Sequence, residues 1–132
     1  MRRRVAVILL ATLQPGISSA AGAGGAFHGD WLINQLDGEK PAGLRIVTMR
    51  IASDGQIAGH APWNGFRARF HLSGGRVDFT PGMTTRMFCG AEIMRQEQRF
   101  LSIFAGGAKW RVTGDRLGLE SDAGVSIKAS RQ

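Results

Sequence analysis

Short apolar segments separated by glycine-containing turns restrict the fold of this chain more than any other feature. Glycine supplies 19 of the 132 residues, about twice its ordinary share of ~7%. Residues 66–72 alternate strictly, with Phe66, Ala68 and Phe70 on one face and polar side chains on the other. Such alternation is typical of an antiparallel strand with one buried face. The predicted strands cover residues 31–36, 44–51, 57–60, 66–72, 76–79, 109–113, 117–121 and 125–129.

One stretch, residues 91–105, has a helical period instead. At about 100° per residue its apolar side chains gather on one face, and these side chains are Ile93, Met94, Phe100, Leu101 and Phe104. Gly106 and Gly107 then predict the end of the helix. Strands on both sides of one helix predict an α+β fold, namely a curved antiparallel sheet or partly closed β-barrel with one amphipathic helix packed on it.

The first 23 residues have the composition of a targeting segment. Three arginines at 2–4 precede the apolar residues 5–13, which are too few for the ~20 residues of a membrane-spanning helix. Small residues then allow cleavage after Ala20 or Ala23. We therefore predict a Sec-type signal peptide, a single domain over 24–132, and a periplasmic or secreted protein whose mature form has no transmembrane segment.

Charge and cysteine content narrow the choice of partners. Loss of residues 1–23 removes three arginines and no acid, so the net charge falls from +7 to +4. Export also separates the mature chain from nucleic acid, which we exclude as a partner. Cys89 is the only cysteine, so the protein is predicted to be neither lipid-anchored at the processing site nor disulfide-bonded internally. We expect a monomer.

The Cys89 thiol has two possible states. It is either buried and inert, or exposed and available for an intermolecular bridge or redox chemistry. Its apolar flanks, residues 87–88 and 93–94, favour burial.

No cluster of residues predicts catalysis or metal binding. His28, His60 and His71 lie 32 and 11 residues apart, a spacing that does not suggest a zinc site. The Gly-x-Ser-x-Gly sequence of serine hydrolases does not occur. The expectation is therefore a protein without enzymatic activity, bound metal or cofactor.

Glu97 is the most informative polar residue, because its helical position lies inside the apolar face. A buried carboxylate is costly unless it is paired or hydrogen-bonded. We expect a structural carboxylate that accepts hydrogen bonds from backbone amides, from Asn64, or from an arginine such as Arg86. The alternative is a polar contact inside a ligand cavity.

Three residues are candidates for contact with a partner. Arg67 and Arg69 share a strand face and, with Arg45, would form a basic patch for anionic envelope polymers or lipid headgroups. Solvated strand charges that discourage aggregation are the other explanation. Trp63 follows Pro62 in a loop, where it would either plug the end of a barrel or anchor a partner protein.

Five sequence pieces occur in an order found in a known family. They are Trp31-Leu32-Ile33, Gly59-His60-Ala61-Pro62-Trp63-Asn64-Gly65-Phe66, Thr84-Thr85-Arg86-Met87-Phe88-Cys89, Met94-x-x-Glu97-x-x-Phe100-Leu101 and Gly114-Asp115-Arg116-Leu117-Gly118-Leu119. Together they resemble the META domain family, small bacterial envelope proteins that include a heat-shock-associated member. The resemblance runs from about residue 30 to residue 128 and implies an antiparallel barrel-like fold with a helix. It makes Trp31, Asn64, Phe66, Cys89, Glu97 and Phe100 motif residues.

The chain departs from the family pattern at one motif. Where the family usually has Gly-Cys-Asn-x-Phe, residues 62–66 read Pro-Trp-Asn-Gly-Phe. The second family cysteine is present as Cys89, so a pairing seen in relatives is impossible here. The resemblance implies a non-catalytic envelope protein with a stress-related binding or accessory role. An inhibitor of a periplasmic protease or hydrolase, and a carrier of an apolar ligand between sheet and helix, are the alternatives. The partner would be an envelope protein or a small apolar ligand.

Overall fold

A computed structural model describes residues 24–132, which form a closed antiparallel barrel of eight strands. Each strand pairs with its neighbours in sequence, and the last strand pairs with the first. The predicted fold class is confirmed, and the barrel is fully rather than partly closed. The predicted signal peptide lies outside the described residues. The strands are β1 (Gly29–Leu36), β2 (Thr48–Ile51), β3 (Gln56–His60), β4 (Gly65–Ser73), β5 (Arg76–Thr84), β6 (Gly107–Thr113), β7 (Arg116–Ser121) and β8 (Ser126–Arg131).

The barrel interior is filled by inward-facing side chains. In β4, Phe66 and Ala68 are buried while Arg67 and Arg69 are exposed, as the alternation of the segment predicts. Trp31 of β1 is fully buried. An eight-stranded barrel is just wide enough for side chains to fill it, and here they do so.

Helix α1 (Ala91–Ser102) and a 3-10 turn (Ile103–Ala105) close one end of the barrel. Phe100 and Phe104 of this segment pack on Phe66 of the sheet, with ring centroids 5.3 and 4.9 Å away. The β1–β2, β3–β4 and β5–β6 connections leave from the same end. We call it the helix-capped end.

Residues 24–28 close the opposite end. Phe27 is fully buried, and its ring lies 5.4 Å from that of Phe70 and 5.1 Å from that of Trp110. The indole Nε1 of Trp31 donates a hydrogen bond of 3.0 Å to the Phe27 carbonyl oxygen, which fixes this segment on the barrel. We call it the plugged end.

The second strand is shorter than predicted. It begins at Thr48 rather than at residue 44, and Leu44 and Ile46 are exposed. The predicted buried face of Val47, Met49 and Ile51 is confirmed. The preceding residues leave the sheet because α1 holds them, and the Ala42 amide donates to Gln96 of the helix at 2.6 Å.

The fifth strand is longer than predicted, since Pro81 and Gly82 do not end it. The register between β4 and β5 shifts here, which gives the bulge at which a strand tolerates proline. A Cβ on Gly82 would lie 2.6 Å from the Arg67 carbonyl oxygen, so the close approach requires glycine. The other strands match their predicted bounds within two residues.

Candidate functional site

The Glu97 carboxylate and Asn64 form the centre of the helix-capped end. Glu97 is 2% exposed and Asn64 is 1% exposed. Oε1 of Glu97 accepts hydrogen bonds of 2.7 Å from the backbone amides of both Trp63 and Asn64. Oε2 accepts one of 2.5 Å from Asn64 Nδ2. The expectation that Glu97 faces the core and is bonded by backbone amides and Asn64 is confirmed.

Asn64 extends these bonds to the β5–β6 connection. Its Oδ1 accepts from the Thr85 hydroxyl and from the Met87 amide, both at 2.8 Å. Its Nδ2 also donates to the Met87 carbonyl oxygen at 2.9 Å. We call Asn64, Glu97, Thr85 and the backbone of Trp63 and Met87 the polar node. Through it, one helix and two connections hold each other in place.

The bonding of the polar node determines what its carboxylate can do. Three protein donors occupy the two oxygens of Glu97, and burial keeps solvent away from them. A carboxylate bonded in this way holds the two connections in position. Arg86, offered as an alternative donor, is exposed, and the backbone amides and Asn64 bond to the carboxylate instead.

Gln96 is a second buried polar residue on α1 that the sequence reasoning missed. It is 3% exposed, its Oε1 accepts from the Ala42 amide, and its Nε2 donates to the Lys40 carbonyl oxygen at 2.9 Å. The helical angle between Gln96 and Phe100 is only about 40°. That angle is the signal that could have placed Gln96 on the buried face.

Trp63 is half-buried, and Arg45 covers its ring. The guanidinium carbon of Arg45 lies 4.2 Å from the ring centroid, and Arg45 Nη1 lies 3.2 Å from Nε2 of His60. Nδ1 of His60 is 2.7 Å from the Ala61 carbonyl oxygen. The Trp63 side chain therefore does not fill the barrel interior, and it is not fully exposed either. It forms the outer part of the helix-capped end, beneath Arg45.

Arg67 and Arg69 point outward from β4 into solvent. Their cross-strand neighbours on β3 are Ala58 and Gln56. The His60–Gly65 pair lies two residues further along the strands, beyond the Gly59–Phe66 pair. Arg45 bonds to this histidine. Across residues 24–132 none of these three arginines forms an ion pair with a carboxylate.

Cys89 is half-buried, and the flanks expected to bury it do not. Met87 and Phe88 are 49% and 77% exposed. The segment faces Asn64 with its backbone, because the amide and carbonyl of Met87 bond to that side chain. The side chains of Met87 and Phe88 are thereby turned outward, and Cys89 lies between the buried and the exposed state, less buried than its flanks favour.

The other motif residues are structural members of the core. Trp31, Phe66 and Phe100 are buried. The three histidines lie on separate segments, and within residues 24–132 no three His, Cys, Asp or Glu side chains come together as a metal-binding group. No helix of the described part is long and apolar enough to cross a membrane.

The comparisons with known proteins agree with this geometry. The model of the META domain matches residues 25–132. The chain belongs to the META domain family, as its motifs suggest. Membership supports a small envelope-associated protein, and the family is not known for an enzymatic activity. A search of curated protein sequences gave no match.

Two structures solved by NMR have similar folds. One, a protein from Burkholderia xenovorans, is 16% identical with a TM-score of 0.64 and covers 98% of this chain and 95% of its own. The other is 18% identical with a TM-score of 0.65 and covers 78% of this chain and 88% of its own. At these identities the similarity establishes the fold alone.

Proposed function

We propose that this protein is an exported, non-catalytic META-type protein with a stress-related binding or accessory role in the bacterial envelope. The observation that carries the proposal is the bonding of the polar node. The most deeply buried carboxylate is used entirely to hold connections in place, and these connections present apolar and cationic side chains to solvent. Such a surface suits contact with a partner rather than chemical conversion.

The carrier alternative is disfavoured by the packing between sheet and helix. Phe66, Phe79, Phe100 and Phe104 fill this space, with ring centroids 4.9 to 5.4 Å apart. An apolar ligand placed there would have to displace at least one of these rings. The inhibitor alternative requires only an exposed surface, and capture experiments separate it from the accessory role.

Export is tested by expressing the full chain in a bacterial host and fractionating the cells. We expect the protein in the periplasmic or secreted fraction with a new N-terminus at residue 21 or 24, read by N-terminal sequencing. Recovery of Met1 on the extracellular material, or retention in the cytoplasm, would contradict the proposal.

The binding role is tested by affinity capture from envelope extract before and after heat stress, with mass spectrometry of the captured material. A single stoichiometric protease or hydrolase would support inhibition, and a co-purified lipid inside the barrel would support the carrier. The proposed role predicts instead that abundance of the protein rises under envelope stress. An unchanged abundance under heat and detergent stress would contradict it.

A further inference from the structure

The large apolar side chains that are exposed in residues 24–132 all lie at the helix-capped end. Leu44 and Ile46, 103% and 64% exposed, belong to the β1–β2 connection. Met83, Met87 and Phe88, between 49% and 78% exposed, belong to the end of β5 and the β5–β6 connection. Exposed apolar side chains that gather at one place mark an interaction site.

The two groups are linked through Trp63 and Asn64. Arg45, between Leu44 and Ile46, lies on the ring of Trp63. The next residue, Asn64, bonds to the backbone of Met87. We call this set of side chains the apolar rim, and it consists of Leu44, Ile46, Trp63, Met83, Met87 and Phe88.

Arginines are interleaved with the apolar rim. Arg45 separates Leu44 from Ile46, and Arg86 directly precedes Met87. Neither arginine is among the ion pairs found in residues 24–132.

Most acidic side chains near the rim are already engaged. Glu97 is buried in the polar node, Glu39 pairs with Arg95, and Asp37 pairs with Arg99. Glu92, in the first turn of α1, is exposed. Among these charged groups of residues 24–132, Arg45 and Arg86 are unpaired cations at the exposed surface and Glu92 is an exposed acid, while Glu97 lies beneath the surface and is bonded by neutral donors.

We propose that the apolar rim docks the protein onto the surface of a bilayer that contains anionic lipids. Leu44 and Phe88 would enter the boundary between headgroups and acyl chains, while Arg45 and Arg86 contact the lipid phosphates. Protruding apolar side chains flanked by arginines match the apolar and anionic layers of such a surface. This inference rests on the proposed function, because it supplies the contact surface of an envelope protein.

The test is sedimentation with vesicles of phosphatidylcholine, alone or mixed with phosphatidylglycerol, at low and high salt. A chain that begins at Gly24 contains all eight strands and both end closures, so it is used beside the full chain to remove the contribution of residues 5–13. We expect binding to the mixed vesicles, weakened by salt, and little binding to phosphatidylcholine alone.

Two double variants identify the surface. Leu44→Ser with Phe88→Ser, and Arg45→Gln with Arg86→Gln, are each expected to weaken binding to mixed vesicles about tenfold or more. Arg111→Gln with Arg116→Gln removes two exposed arginines from β6 and β7 and is expected to leave binding unchanged. Thermal unfolding of each variant checks that the fold persists.

Tryptophan fluorescence locates the contact directly. Trp31 is fully buried, so in a Trp110→Phe background a vesicle-induced change reports on Trp63. We expect a blue shift and quenching by brominated phosphatidylglycerol.

Three outcomes would overturn the inference. They are absence of binding to mixed vesicles, equal binding by the Leu44→Ser, Phe88→Ser variant, and self-association of the wild type that this variant abolishes. Because export is measured separately, failure here leaves the proposed function standing, whereas cytoplasmic retention would remove both.

Discussion

The two ends of the barrel are closed by different chemistry. At the plugged end, Phe27 lies against Phe70 and Trp110 and is fully buried. At the helix-capped end, aromatic rings lie beneath α1, but the connections around the helix are held by the polar node and by Gln96. The first closure hides its apolar side chains, whereas the second leaves Leu44 and Phe88 in solvent.

This difference indicates a division of roles. Hydrophobic packing is non-directional, so an apolar plug stabilises the fold through the apolar area that it removes from water. Hydrogen bonds to buried groups are directional and fix the backbone of a loop in one place. Gln96 holds the backbone at residues 40 and 42, and Asn64 holds that of Met87. The apolar side chains of Leu44, Ile46, Met87 and Phe88 next to these bonds are exposed. We therefore assign the proposed contact surface to the helix-capped end.

Removal of the plug is expected to give the largest effect. Phe27→Ala should lower the free energy of unfolding by about 4 kcal/mol, because it removes a buried ring and leaves a cavity. Denaturant unfolding followed by fluorescence measures the change. Phe27→Leu should restore more than half of the loss. If Phe27→Ala has the same free energy of unfolding as the wild type, residues 24–28 do not close the barrel.

Removal of the central carboxylate should come next. Glu97→Ala leaves three buried donors without an acceptor and should cost about 3 kcal/mol. Glu97→Leu, unlike the leucine at position 27, should not restore stability, because the donors of Trp63 and Asn64 remain unpaired. Glu92→Gln, an exposed change on the same helix, is the control. If Glu97→Leu were as stable as the wild type, apolar packing would suffice at the helix-capped end, and the two ends would not differ in the chemistry that closes them.

The smallest effect is expected at a half-exposed ion pair that belongs to neither the plug nor the polar node. Arg76, after the β4–β5 turn, donates hydrogen bonds of 3.2 and 2.7 Å to Asp122 in the β7–β8 connection. This bonding lowers the pKa of the Asp122 carboxyl below its ordinary value of 3.8. The stabilisation is present above that ordinary value and is lost as the pH falls through the folded-state pKa.

Asp122→Asn should therefore lower the melting temperature slightly at neutral pH and not at all below the folded-state pKa. Melting curves across acidic and neutral pH measure this convergence, and Glu120→Gln serves as an exposed control. Because both partners of the pair are largely exposed, salt should reduce the difference. A difference that persists at the acidic limit would mean that Asp122 acts through something other than its charge.

The sequence predicts the elements of this fold well because they follow from local periodicity. The inward face of β4 and the apolar face of α1 are visible as alternation at two periods. The burial of Glu97 follows from the same periodicity, because the position of a residue along a helix determines the direction in which its side chain points. Such features require no knowledge of distant parts of the chain.

The connections could not be predicted, because tertiary bonds determine them. Leu44 and Ile46 begin a segment, residues 44–51, that is rich in β-branched residues, yet Gln96 bonds to Ala42 and residues 44–47 lie outside the strand. Pro81 in the sequence indicates the end of a strand, but the bulge between β4 and β5 lets the strand continue through it. The apolar flanks of Cys89 suggested burial, and the bonds from Asn64 to Met87 reverse the direction of those side chains. Each error arises where contacts with a distant part of the chain override local preference.

The pairing of β8 with β1 also bears on how the chain acquires its structure. Strand β1 can pair with β8 only when residues 126–131 are available. Until then, an incomplete chain has two unpaired strand edges. Closure of the barrel therefore requires residues 126–131. Under the proposed export, this order would delay compaction of the chain until residues 126–131 have crossed the membrane.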